Sequence, residues 1–97
     1  MRPMHEEQYL LTCLAEECGE VAQRCTKALR FGLNEIQPGQ DATNYARLWG
    51  ELCDLQAIAE MLSEKIGYGH TVREEIEAKK ERVRNYMVYS RDLGTLR

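Results

Sequence analysis

Two short acidic strings carry the residues most able to do chemistry: Glu17 and Glu20 within Leu14-Ala-Glu-Glu-Cys-Gly-Glu-Val21, and Glu51 and Asp54 within Leu48-Trp-Gly-Glu-Leu-Cys-Asp-Leu55. In each string the two acids are three residues apart. On a helix that spacing places both carboxylates on one face, ~5–6 Å apart at Cβ. Each pair lies beside an apolar stripe rather than opposite it. Helices packed through those stripes therefore bring four carboxylates into one cleft, with Glu16 next to them. Exposed like charges repel only weakly, whereas partly buried carboxylates without partners are costly, so the arrangement calls for a hard divalent cation.

The donor set narrows the metal. His5 and His70 are the only histidines, and neither follows a Glu by three residues on these helices, so the Glu-x-x-His pattern of di-iron carboxylate bundles is missing. Oxygen-only donors favour Mg²⁺ or Mn²⁺ over zinc or iron. The four cysteines, Cys13, Cys18, Cys25 and Cys53, have no Cys-x-x-Cys spacing and read as small reduced core residues.

The elements that must position these acids are helical. A first helix is expected over 4–31, with Pro3 near its first turn, Glu6 and Glu7 at its positive end and Gly32 as terminator. Its apolar stripe reads Leu11, Leu14, Cys18, Val21, Cys25 and Ala28. Residues 33–40 contain Asn34, Pro38 and Gly39 and read as a loop. A second helix is expected over 42–66, capped by Asp41, with the stripe Leu48, Leu52, Leu55, Ala59, Leu62 and Ile66. Gly67-Tyr-Gly-His70 breaks it. Thr71 and Glu74 form a capping-box pattern opening a third helix over 72–89, followed by a frayed tail over 90–97. No segment reads as a strand.

The first two helices resemble each other at an offset of 34 residues, matching Leu14 with Leu48, Glu17 with Glu51, Glu20 with Asp54 and Val21 with Leu55. A solenoid needs at least a third copy, and the third helix places Asn85 where an acid would recur. The likeness is that of two ligand-bearing helices facing one another in a bundle.

Length and composition set the frame. At 97 residues the chain reads as one domain, 1–97, near the size at which a partner chain often completes the burial. With 43% hydrophobic residues, 30% charged and two prolines, it fits a helical globular protein and neither disorder nor a membrane span. The start, Met-Arg-Pro-Met-His-Glu-Glu, has no apolar h-region, so a cytoplasmic, non-membrane protein is expected. The net charge of −3 is local: without Glu16, Glu17, Glu20, Glu51 and Asp54, 13 basic residues face 11 acidic ones. Such a cleft repels free nucleic acid and welcomes a metal-chelated polyphosphate.

These strings carry a family resemblance. Glu16-Glu17-Cys-Gly-Glu20 followed by Glu51-Leu-Cys-Asp54 resembles the Glu-Glu-x-x-Glu and Glu-x-x-Asp signature of the MazG-like, all-α nucleoside triphosphate pyrophosphohydrolases. The flanking Leu-Ala-Glu-Glu-x-Gly-Glu-Val-Ala and Gly-Glu-Leu-x-Asp-Leu match as well, and the resemblance spans roughly Leu10 to Tyr86. It implies an all-α fold of the four-helix-bundle type, in which three main helices are completed by oligomerisation as a homodimer or homotetramer. It also implies Mg²⁺-dependent hydrolysis of a nucleoside triphosphate to the monophosphate and pyrophosphate. By position, Glu17, Glu20, Glu51 and Asp54 are the implied ligands, with Glu16 supporting a water or a further ion. Two departures stand out: the segment between Glu20 and Glu51 is longer than is usual in the family. The family's trailing Lys, Asn and Arg pattern is only approximated by Lys79, Lys80, Arg82, Arg84 and Asn85.

The residues fit that chemistry on their own terms. Hydrolysis at the α-phosphorus needs charge neutralisation and little covalent help, so no Ser, Cys or His nucleophile is required. Glu16 and Glu17 are the candidates for catalysis, Glu16 by orienting or deprotonating the attacking water. Lys27 lies two turns after Glu20, with Arg24 and Arg30 nearby. Lys79 interrupts the third helix's stripe between Ile76 and Val83, with Arg82 close by. These are the candidate phosphate contacts. Trp49 is the candidate base platform, among Tyr45, Phe31 and Tyr86, with Asn34 or Asn44 as readers of a base edge. Two other functions compete: a nucleic-acid-binding regulator using the basic third helix, and an adaptor bundle whose acids only solubilise it.

Overall fold

The computed structural model describes residues 2–67 and 73–97. They form three helices, α1 (Glu6–Phe31), α2 (Asn44–Ile66) and α3 (Arg73–Leu93), with no strand among the described residues. Each helix matches an expected one, with shifted ends. α1 begins after Pro3, where the backbone N–H of His5 donates to Gln8 Oε1 at 2.9 Å. α2 is capped by Thr43, not Asp41: Thr43 Oγ1 accepts from the Ala46 N–H at 3.0 Å. The preceding segment is held back on itself, with Asn44 N–H donating to Glu35 O and Tyr45 N–H to Leu33 O. Those bonds keep 41–43 out of the helix. The capping box at Thr71 and the break at Tyr68 to His70 lie outside the described residues.

α1 and α2 pack antiparallel as a helical hairpin. At one end Lys65 Nζ pairs with Glu6 Oε2 at 2.7 Å. At the other, Asn44 is completely buried and closes the connection: its Nδ2 donates to Gly32 O and to Glu35 Oε1, both at 2.8 Å. Arg47 Nη1 adds a 2.6 Å bond to Gln37 Oε1. The long connection is thus a structured clasp; it engages the Asn44 amide nitrogen and buries the whole side chain, Oδ1 included, so Asn44 presents no edge to a base.

Gly32 ends α1 at φ +104° and ψ 147°, its N–H bonded to Ala28 O. A side chain there meets open space but not that backbone conformation, which L-residues rarely adopt. Gly32→Ala is therefore expected to lower stability by about 1–3 kcal/mol, read as a reduced urea midpoint at unchanged slope; an unchanged midpoint means the clasp relaxes freely. Gly67 ends α2 in the left-handed region, φ 72° and ψ 27°, its N–H bonded to Ser63 O.

The faces that meet differ from the expected stripes by about one residue of rotation. On α1 the inward positions are Leu10, Leu14, Glu17, Val21, Arg24 and Ala28, while Leu11, Cys18 and Cys25 point outward and are exposed. On α2, Leu48, Glu51, Leu52, Leu55, Ile58 and Leu62 face inward, and Ala59 and Ile66 do not. Of the four cysteines only Cys13 is partly covered; all are free, and Cys18, Cys25 and Cys53 are not core residues. Polar Glu17, Arg24 and Glu51 occupy seam positions that pure hydrophobicity assigns to their neighbours.

α3 departs most from a closed bundle. Among the described residues it packs on neither α1 nor α2. Its surface carries internal ion pairs at helical spacing: Arg73–Glu77, Lys80–Glu77 and Arg84–Glu81. It runs on to Leu93, and the expected frayed tail is instead a capped end, with Thr95 N–H on Ser90 O and Arg91 Nε on the Arg97 carbonyl. Three helices, of which two pack, make no four-helix bundle within one chain. Ala28 is the only buried hydrophobic residue among those described. The radius of gyration, 17.3 Å, exceeds the about 13 Å of a compact domain of similar length.

Candidate metal centre

The hairpin brings Glu17, Glu51 and Asp54 together. One carboxylate oxygen from each lies within 4.8 Å of the other two. Glu17 comes from the middle of α1, and Glu51 and Asp54 from α2, so the group forms only when the two helices pack. Glu17 and Glu51 are half-buried, and Asp54 is at the exposed rim. Glu17 Oε2 and Glu51 Oε2 are both sealed from solvent with no hydrogen-bond partner in the protein. Buried acceptor oxygens without donors can be satisfied by a shared proton or by a cation. Three carboxylates and no nitrogen or sulfur suit a hard divalent ion of the Mg²⁺ or Mn²⁺ type.

The electrostatics agree. Loss of hydration raises the Glu17 pKa above the ordinary 4.5, helped by the charges of Glu20 and Asp54 and opposed by a hydrogen-bonding contact with Glu51. Glu20 is also raised, chiefly by its side-chain contact with Glu51 and that group's charge, while Arg24 acts in the opposite sense. Glu20 thus borders the trio through Glu51. Away from the cluster, Lys65 holds Glu6 below the ordinary range by hydrogen bond and charge.

These shifts set a pH signature. Raised carboxylates mean that the folded metal-free protein binds protons which the unfolded chain releases near pH 4.5, so their contribution is full below that pH and lost as pH rises through the raised values. Glu6 contributes oppositely, its share being lost as pH falls below 4.5. Thermal melting of metal-free protein is expected to show a stability decline on the alkaline side of that value, and Mg²⁺ to flatten it. A rise across the same window, or no effect of Mg²⁺, contradicts this electrostatic picture.

The other candidate residues are more scattered. Glu16 is exposed and touches the group only through its charge on Glu17. Lys27 is half-buried on the seam side of α1. Arg30 is exposed, its guanidinium 4.9 Å from the centre of the Phe31 ring. Lys79 and Arg82 stand on α3 and do not join the group within this chain. Trp49 is exposed and packs edge-to-face on Tyr45 at 6.2 Å, and Asn34 is exposed in the connection. Arg24, by contrast, is buried in the seam, and its Nη1 has no partner. It stands among the candidate phosphate contacts expected from sequence, and its burial in the seam follows from its position, seven residues after Glu17 and four after Glu20. Comparison of the chain with protein-family models, with curated proteins and with solved structures finds no match.

Proposed function

We propose that this protein is a Mg²⁺-dependent nucleoside triphosphate pyrophosphohydrolase, releasing a monophosphate and pyrophosphate. The observation that carries the reading is the meeting of Glu17, Glu51 and Asp54 oxygens from two helices within 4.8 Å, at two residues, Glu17 and Glu51, that each also bury an Oε2 without a hydrogen-bond partner. The two acidic strings supply its chemical context, since their residues and order resemble the MazG-like signature. Glu17, Glu20, Glu51 and Asp54 hold Mg²⁺, and Mn²⁺ serves in its place. When bound, the ion would supply positive charge for the triphosphate and lower the pKa of a water.

The remaining work falls to the chain. Water adds to the α-phosphorus, the bond from that phosphorus to the bridging oxygen breaks, and pyrophosphate leaves with the electron pair. Glu16, exposed on α1 next to Glu17, orients the water and takes its proton. Lys27 and Arg30 continue along α1 toward the clasp and receive phosphate oxygens, while Trp49, presented with Tyr45, offers a face for the base. The protein works as a homodimer or homotetramer: so little apolar surface is buried in one chain, and α3 is so poorly covered, that a second copy is the economical way to close the core. Lys79 and Arg82 serve the cleft only in such an assembly.

The nucleic-acid reading is weakened by α3, whose Arg73, Lys80 and Arg84 are engaged by acids of the same helix. No helix among the described residues is long and apolar enough to cross a membrane.

The test is incubation with Mg²⁺ and a panel of triphosphates, followed by phosphorus NMR. Metal-dependent appearance of monophosphate and pyrophosphate is expected. Release of orthophosphate instead, or no product from any triphosphate, contradicts the proposal.

A further inference from the structure

Arg24 is more than nine-tenths buried, in the seam beside the acidic group, and its Nη1 has neither solvent nor a protein acceptor. An isolated guanidinium in that position is costly, and its planar fork is suited to a paired set of oxyanion oxygens. The neighbouring acids do not fill that need: Arg24 forms no ion pair with any carboxylate among the described residues, although its charge is felt at Glu20. A divalent ion drawing on those carboxylates leaves the guanidinium still less compensated. The missing counter-charge must then arrive from outside, with the metal.

We propose that Arg24 is the phosphate seat of the cleft: its guanidinium fork binds non-bridging oxygens of a phosphoanhydride ligand taken up together with the cation that Glu17, Glu51 and Asp54 would hold. The inference rests on the metal-dependent reading above and adds to it the residue that seats the phosphates. It places the diphosphate portion deep, against α1, with the organic portion directed outward.

Calorimetry with Mg²⁺ and imidodiphosphate, a non-hydrolysable diphosphate, tests the assignment without using turnover. Mg²⁺ uptake alone is expected to be similar in the parent protein and in Arg24→Gln, since no ligand to the ion is removed. With Mg²⁺ saturating, imidodiphosphate affinity is expected to fall about 10–100-fold in Arg24→Gln, the range for a charge-assisted contact, and to recover partly in Arg24→Lys. In the parent protein, the Arg24 Nε–H resonance is expected to shift with Mg²⁺ and imidodiphosphate together but not with Mg²⁺ alone. That measurement decides the matter even where a substituted protein fails to fold. Equal imidodiphosphate affinity in a folded Arg24→Gln protein, or an unmoved Arg24 resonance in a protein that does take up Mg²⁺, overturns the assignment while leaving the metal reading standing. No Mg²⁺ uptake by the parent overturns both.

Discussion

Glu51→Gln is expected to abolish metal-dependent turnover, lowering kcat/KM by about 10²–10³-fold or more, while leaving the helices intact. Glu51 is central for a geometric reason. It faces both Glu17 and Glu20 across the hairpin, and its Oε2 is sealed without a protein partner. Gln keeps the shape but exchanges one anionic oxygen for a donor amide, which a cation cannot use and neighbouring carboxylates can. The metal-free variant is therefore expected to melt at a higher temperature than the parent, because the charge that most raises the Glu20 pKa is gone. It is also expected to lose the thermal shift on adding Mg²⁺. Higher intrinsic stability joined to lost activity separates a metal ligand from a structural residue, whose replacement lowers both. Parental turnover in Glu51→Gln removes the acids from the chemistry.

Asn44→Asp is expected to cause the largest loss of stability of any single change in the hairpin, about 3–5 kcal/mol near neutral pH. Asn44 has no solvent exposure, and its amide nitrogen donates to Gly32 O and Glu35 Oε1, both at 2.8 Å. Asp offers only acceptors there, setting a buried carboxylate against a carbonyl and the Glu35 carboxylate. Against a total stability of about 5–15 kcal/mol for a domain, that loss unfolds or loosens much of the protein. Adding Glu35→Gln returns a donor to the site, so the double variant is expected to recover part of the loss, measured as a coupling energy in urea denaturation. Strict additivity of the two changes means that the pair is not the clasp. Asn44 is two turns before Glu51 on α2, so loosening it is also expected to weaken Mg²⁺ uptake from a distance.

Much of this arrangement is legible in the chain before folding. The three helices follow from apolar periodicity and from terminators such as Gly32 and Gly67. The pairing of Glu17 with Glu51 and Asp54 follows from two matching strings on two facing helices. What periodicity misplaced was rotation. Leu11, Cys18 and Cys25 make a more apolar stripe than Leu10, Glu17 and Arg24, yet the second set faces α2. A hydrophobic stripe finds the seam only where the seam is purely structural, and here charged residues share it. The Thr43 cap and the clasp role of Asn44, read in sequence as a candidate base-edge contact, depend on bonds between 32–35 and 44–45 that no local propensity encodes. α3 was assigned to the bundle by its own stripe. Within one chain that stripe packs on neither α1 nor α2, since amphipathicity shows that a helix has a face to cover and not what covers it.

The metal role of these acids turns on whether a divalent ion enters the space between Glu17, Glu51 and Asp54. Methyl NMR during a titration with Mn²⁺ measures this in the unmodified protein. Broadening is expected first and most strongly at Leu14, Val21, Leu48 and Leu55, which flank those acids on the same helix faces, to weaken toward Ile66, and to be reversed by excess Mg²⁺. Broadening centred elsewhere, or none that Mg²⁺ displaces, contradicts it.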